Sequence, residues 1–125
     1  MFELAGKKIA VVGVSRDPSK YGHKVFQDLI KKGYDVYGVN PKQEPVLGRR
    51  IYPSLSQLPE KPDIVITVVP PAVTEKIVEE CASLGIGLVW MQPGSESQEA
   101  IRKAELLGIR TIHDACIMLT TDKRK

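Results

Sequence analysis

Cysteine is scarce in this chain of 125 residues: Cys81 and Cys116 stand far apart and in no Cys-x-x-Cys arrangement. Neither a zinc site nor a disulfide framework is suggested, and a reducing, cytoplasmic setting is expected. Histidine is equally rare. His23 and His113 are isolated, without the paired spacing of metal ligands, so no metal is expected and structural roles are assigned to both. Aromatic residues amount to 6%, too few for the interleaved stacking platforms of single-strand nucleic-acid binders, and a net charge of +3 falls short of a dense basic face. No long hydrophobic run is present. The longest, residues 64–73, contains Thr67, Pro70 and Pro71 and is far below the roughly 20 residues of a membrane span. Residues 1–8 show no apolar stretch behind a basic region, so no signal peptide is expected. Also missing is a Ser or Cys nucleophile with a spaced His base, or a carboxylate pair with an evident role. The chain is expected not to be an enzyme by itself.

What is present is an alternation of strands and helices. With 42% hydrophobic and 26% charged residues, the chain reads as one globular domain over residues 1–125. Strands are expected over residues 8–14, 35–39, 63–69, 86–91 and 109–112. Helices are expected over residues 22–32, 72–84 and from the Ser95-Glu96-Ser97-Gln98 capping-box spacing onward, with a last helical turn over 114–119 and a charged tail over 122–125. The second helix carries an apolar stripe of Val73, Ile77, Cys81 and Leu84, and the third a face of Ala100, Ile101, Ala104 and Leu107. Residues 40–50 read as the longest loop, and Ser54-Leu55-Ser56-Gln57 as a short helical turn. Parallel strands joined by right-handed crossovers give an α/β, Rossmann-like, doubly wound sheet of five strands, expected in the order 3-2-1-4-5.

The first strand runs into Gly13 and then, through Val14-Ser15-Arg16-Asp17-Pro18-Ser19-Lys20-Tyr21-Gly22, into a helix. This is the layout of a phosphate-binding turn, in which glycine permits close backbone approach and the positive end of the helix dipole lies behind the amides. The dinucleotide fingerprint G-x-G-x-x-G is not met, because Ser15 and Pro18 stand at its second and third glycines. After the second strand an NAD enzyme would carry an acid for the ribose. Here Asn40-Pro41-Lys42 stands instead, which suits a phosphate-rich nucleotide.

Ligands of such sheets sit beyond the carboxyl ends of the strands. The candidate binding residues are therefore Gly13, Val14, Ser15 and Arg16 after the first strand, Asn40, Pro41 and Lys42 after the second, Val69, Pro70 and Pro71 after the third, and Gln92 after the fourth. Tyr21 and Lys24, on the first helix, join them. Each has a plainer reading: Gly13 as a packing glycine, Lys24 as a solvated cation, Tyr21 as a rim residue. Arg16 is read as a free cation whose planar fork suits phosphate oxygens. Trp90 reads as core or a subunit contact ahead of ligand stacking, Cys81 as core, and Cys116 as an inert thiol or one within reach of a ligand thiol.

Four segments, Val12-Gly13-Val14-Ser15-Arg16-Asp17-Pro18, Val39-Asn40-Pro41, Val68-Val69-Pro70-Pro71 and Trp90-Met91-Gln92-Pro93-Gly94, carry a family resemblance over nearly the whole chain. The chain resembles the small single-domain CoA-binding proteins, which are similar to the N-terminal domain of the succinyl-CoA synthetase alpha subunit. The resemblance implies coenzyme A as ligand, with Gly13, Ser15 and Arg16 at its phosphates, Pro41 and Lys42 near the nucleotide end, and Val69, Pro70 and Pro71 against the adenine. The synthetase's phosphorylatable histidine belongs to a later domain, so ligase activity is not implied. Three readings stand: non-catalytic binding of CoA or acyl-CoA by a carrier, sensor or regulatory module; an NADP-binding redox domain in which Arg49 or Arg50 reads the ribose phosphate; and an interaction or nucleic-acid module using the basic tail. A homo-oligomer or a protein partner is left open.

Overall fold

The computed structural model describes residue 4 and residues 6–121. The charged tail lies outside them. In chain order the elements are β1 (Lys8–Val12), α1 (Tyr21–Lys31), β2 (Asp35–Val39), β3 (Ile51–Tyr52), a 3-10 turn (Leu55–Gln57), β4 (Ile64–Thr67), α2 (Pro71–Leu84), β5 (Leu88–Met91), α3 (Gln98–Leu106), β6 (Arg110–Ile112) and α4 (Ile117–Thr120). All strands pair in parallel, in the order β3-β2-β1-β4-β5-β6. The expected order 3-2-1-4-5 is present with a sixth strand added at one edge. Its third strand, however, is the two-residue segment Ile51–Tyr52, which the sequence pattern leaves outside any strand. The segment over Ile64–Thr67 therefore becomes the fourth strand and pairs with β1.

Side-chain alternation divides β1 between two cores, as a strand covered on both faces requires. Ile9 and Val11 join Phe26, Leu29, Ile66, Trp90 and Ile117 on the face covered by α1 and α4. Ala10 and Val12 join Val65, Val78, Cys81, Met91 and Ala100 on the face covered by α2 and α3. Trp90, only 2% exposed, donates its indole N–H to the Ala115 carbonyl at 2.9 Å and so ties the segment before α4 to the sheet.

The helix ends follow their local chemistry. Proline at the first position opens α2, where its missing N–H costs nothing, and Gly85 in the left-handed conformation closes it. The stripe of α2 is shifted from the expected one: Val73 is exposed, and Thr74, Val78 and Cys81 are the buried positions. For α3 the N-cap is Ser97, whose Oγ accepts from the Ala100 amide at 3.0 Å. Ser95 instead turns inward, donating to the Thr67 and Gln92 carbonyls, so α3 starts later than the first serine suggests. Leu107, expected on the apolar face, lies half exposed at the helix end.

Candidate functional site

The parallel register sets the carboxyl ends of β2, β1, β4 and β5 side by side at Val39, Val12, Thr67 and Met91. The winding reverses between β1 and β4, the place where open α/β sheets take their ligands. Two cavities lie there and share Ser15. One, of about 400 Å³, is lined by Gly13, Lys20, Tyr21, Gly22, Val69, Pro70 and Gly94 among others. The other, of about 290 Å³, is lined by Val14, Arg16, Asp17, Asn40, Lys42, Glu44 and Val46. They meet at Ser15 along the strand ends and are together termed the groove.

Backbone contact builds the first half. Gly13 has a φ of +105°, donates its amide to the Val39 carbonyl at 3.0 Å, and leaves no room for a side chain, because a Cβ would collide with the Val68 carbonyl. A Cβ on Gly22 would collide with the Gly13 carbonyl. The helix thus rests on the turn at backbone distance. This is the packing task of the third glycine in the dinucleotide fingerprint, done here by Gly22 across a longer turn and not from the Pro18 position. The turn is bonded within itself: Asp17 N–H donates to Ser15 Oγ at 3.1 Å, and Ser19 donates through its amide and hydroxyl to Asp17 Oδ1. Those Ser19 bonds hold the Asp17 carboxyl below the usual carboxylate range. His23, buried under the turn, places Nδ1 2.9 Å from the Ser15 carbonyl. A carbonyl only accepts, so the proton of that bond sits on Nδ1. No side chain caps α1 and no acid stands in its first turn.

Side-chain pairing builds the second half. The Asn40 carboxamide donates to the Val14 carbonyl at 2.7 Å and accepts from the Lys42 amide at 2.9 Å, joining the turn after β1 to the loop after β2. That loop passes through Gln43 at φ +55° and a tight bend in which Val46 and Arg49 exchange backbone bonds, with Leu47 at φ +52°. Arg16 is not the free cation expected from the sequence. Its guanidinium is paired with Glu44, whose carboxyl is held below the usual range first by that hydrogen bond and then by the Arg16 charge. Both side chains remain about half exposed or more.

Of the sequence candidates, Gly13, Val14, Ser15, Arg16, Tyr21, Asn40, Lys42, Val69 and Pro70 line the groove. Pro41 and Pro71 are exposed outside the cavity walls, and Lys24 lies 5.4 Å from the Tyr21 ring centroid instead of facing the cavity. Gln92 is 3% exposed, and its carboxamide accepts from the Ile117 amide at 2.7 Å and reaches Cys116 Sγ at 3.4 Å. It caps α4. Neither Arg49 nor Arg50 lines either of these two cavities, and Arg50 stacks on Tyr52 at 4.8 Å. The groove also uses Lys20, Gly22 and Glu44, which sequence reasoning did not select. For Gly22 the available signal was a glycine at the mouth of a helix. For Glu44 it was an acid five residues beyond β2. Cys81 is fully buried, and burial pushes its thiol up to about 12.

A family model described as CoA binding domain matches residues 7–122. Over an alignment of 127 positions that covers 93% of its length, the chain is 32% identical to the ADP-forming acetate–CoA ligase I of Archaeoglobus fulgidus, of which it covers 18%. It is 31% identical to an uncharacterised protein of Bacillus subtilis, covering 89% of this chain and 82% of that one. A conserved hypothetical protein from Pyrococcus furiosus shares the fold with a TM-score of 0.88 and 39% identity, over 92% of this chain and 99% of that one. The chain spans between 11% and 26% of the ADP-forming acetate–CoA ligase chains it matches. On the family match and these likenesses, the chain belongs to the CoA binding domain family and is related to one part of the succinyl-CoA synthetase-like ligases.

Proposed function

We propose that this protein binds coenzyme A, or an acyl thioester of it, in the groove over β1, β2 and β4, and that it serves as a carrier, sensor or regulatory module without turning the ligand over alone. The observation that carries the reading is the backbone contact of Gly22 on Gly13, which brings the uncapped, acid-free start of α1 against the turn after β1. Amides and helix dipole there favour a pyrophosphate, and Lys20 lies on the same wall. Beyond Ser15, Arg16 and Lys42 offer cations to a ribose phosphate, while Val69, Pro70 and Tyr21 offer apolar surface to a base or a pantetheine arm.

What supports the non-catalytic half of the reading is placement: His23 is buried on the Ser15 carbonyl, Cys81 is in the core, and neither Cys81 nor His113, paired with Asp114 at 2.6 Å, lines either cavity. Calorimetric titration with CoA, NAD and NADP tests the ligand, and CoA is expected to bind most tightly. Equal or tighter binding of NADP, or no binding of CoA, sinks the assignment. Incubation with acetyl-CoA and succinyl-CoA, with and without ADP and phosphate, is expected to release no thiol catalytically. Protein-dependent turnover lost on changing Cys116 to Ser would make that thiol a nucleophile and overturn the non-catalytic part.

A further inference from the structure

The cavity beneath the loop after β2 is charged but balanced, its walls carrying Arg16 and Lys42 against Asp17 and Glu44. In a doubly wound sheet the end of β2 is the ribose side of a nucleotide site, where an acid accepts from a hydroxyl or an arginine takes a phosphate. The position directly after β2 holds no acid. Glu44 supplies one from farther along the loop, and its carboxylate already occupies the Arg16 guanidinium.

Resting on the CoA reading above, we infer that Glu44 competes with the ribose phosphate of the ligand for Arg16, and so sets how strongly the groove distinguishes a ligand with that phosphate from the same ligand without it. A phosphate entering this half must take the guanidinium from Glu44, since both anions seek the same planar fork of donors. An ion pair this open to solvent is weak, so the exchange is easy and leaves a graded discrimination in place of a closed gate. The loop is set for this role. Asn40 fixes its start against Val14, and the left-handed Gln43 directly precedes the carboxylate. A ligand bearing a free ribose hydroxyl meets no such competition and can leave the pair intact.

The test is a titration of wild-type and Glu44→Gln proteins with CoA and with 3′-dephospho-CoA. Glu44→Gln is expected to tighten CoA binding by about three- to fivefold and to leave dephospho-CoA nearly unchanged, so that the ratio of the two affinities rises. With Arg16 already changed to Gln, the same substitution is expected to have a much smaller effect on that ratio, because the contested group is gone. An unchanged ratio in Glu44→Gln, or a full-sized change that persists without Arg16, overturns the inference while leaving CoA binding intact. A wild-type protein that binds neither ligand overturns the reading of the site itself. Circular dichroism of each variant confirms that the fold is kept, and the exposed position of both side chains makes loss of fold an unexpected result.

Discussion

The two halves of the groove reach the same end by opposite means. Around Gly13 and Gly22 the walls are backbone, fixed by contacts too close to admit a methyl group, and no acid lines that cavity. Around Arg16 and Glu44 the walls are charged side chains paired with each other across the mouth, and a ligand can exchange partners with them. On the proposed reading, the first half fixes where a polyanion sits and the second decides which one is preferred. Damage to the first should appear as lost stability, and damage to the second as altered affinity.

Gly22→Ala and Gly13→Ala break the contrast most severely. Each drives a methyl group into a carbonyl, and Gly13 adds the strain of a left-handed backbone, so a loss of about 3 kcal/mol is expected in denaturant unfolding. Normal stability in both would show that the turn and helix can separate freely. On the other half, Arg16→Ala and Lys42→Ala should each weaken CoA binding by about 1 to 3 kcal/mol and barely move the melting temperature of the free protein. Melting temperatures that fall as far as in the glycine variants would erase the distinction. The smallest change serves as a control away from both halves: Thr74, buried in α2 and lining neither cavity, has a hydroxyl without a hydrogen-bond partner. Thr74→Val removes that cost and should raise stability by about 1 kcal/mol with CoA affinity unchanged, as read by unfolding and calorimetry.

The same contrast marks what the sequence reveals. Periodicity and turn residues are local, and they locate β1, α1, β2, α2 and β5 along with the groove at the strand ends. Strand β3 is two residues long, too short for any period, and exists because Ile51 and Tyr52 pair with Gly38 and Val39. A helical stripe tolerates a shift of one position, so Val73 and Thr74 exchange places according to what packs against α2. Ser95 and Ser97 offer equivalent caps to a reader of spacing, but the Thr67 and Gln92 carbonyls, at the ends of β4 and β5, draw Ser95 away. Arg16 reads as free because Glu44 lies 28 residues later and meets it only once the loop after β2 folds back. Gln92 falls at a strand end as the ligand rule requires, but α4 returns over the sheet and takes its carboxamide.

One further consequence belongs to Trp90, the chain's single tryptophan. Its indole is sunk on the face of α1 and α4 and belongs to neither cavity wall. The tryptophan emission of the native protein is therefore expected to be blue-shifted, coming from one buried site whose N–H partner is the carbonyl leading into α4. Filling the groove leaves that chromophore's surroundings in place, whereas peeling the 115–121 segment from the sheet admits water and moves the emission to the red. That emission is expected to serve as a label-free gauge of unfolding that is blind to occupancy.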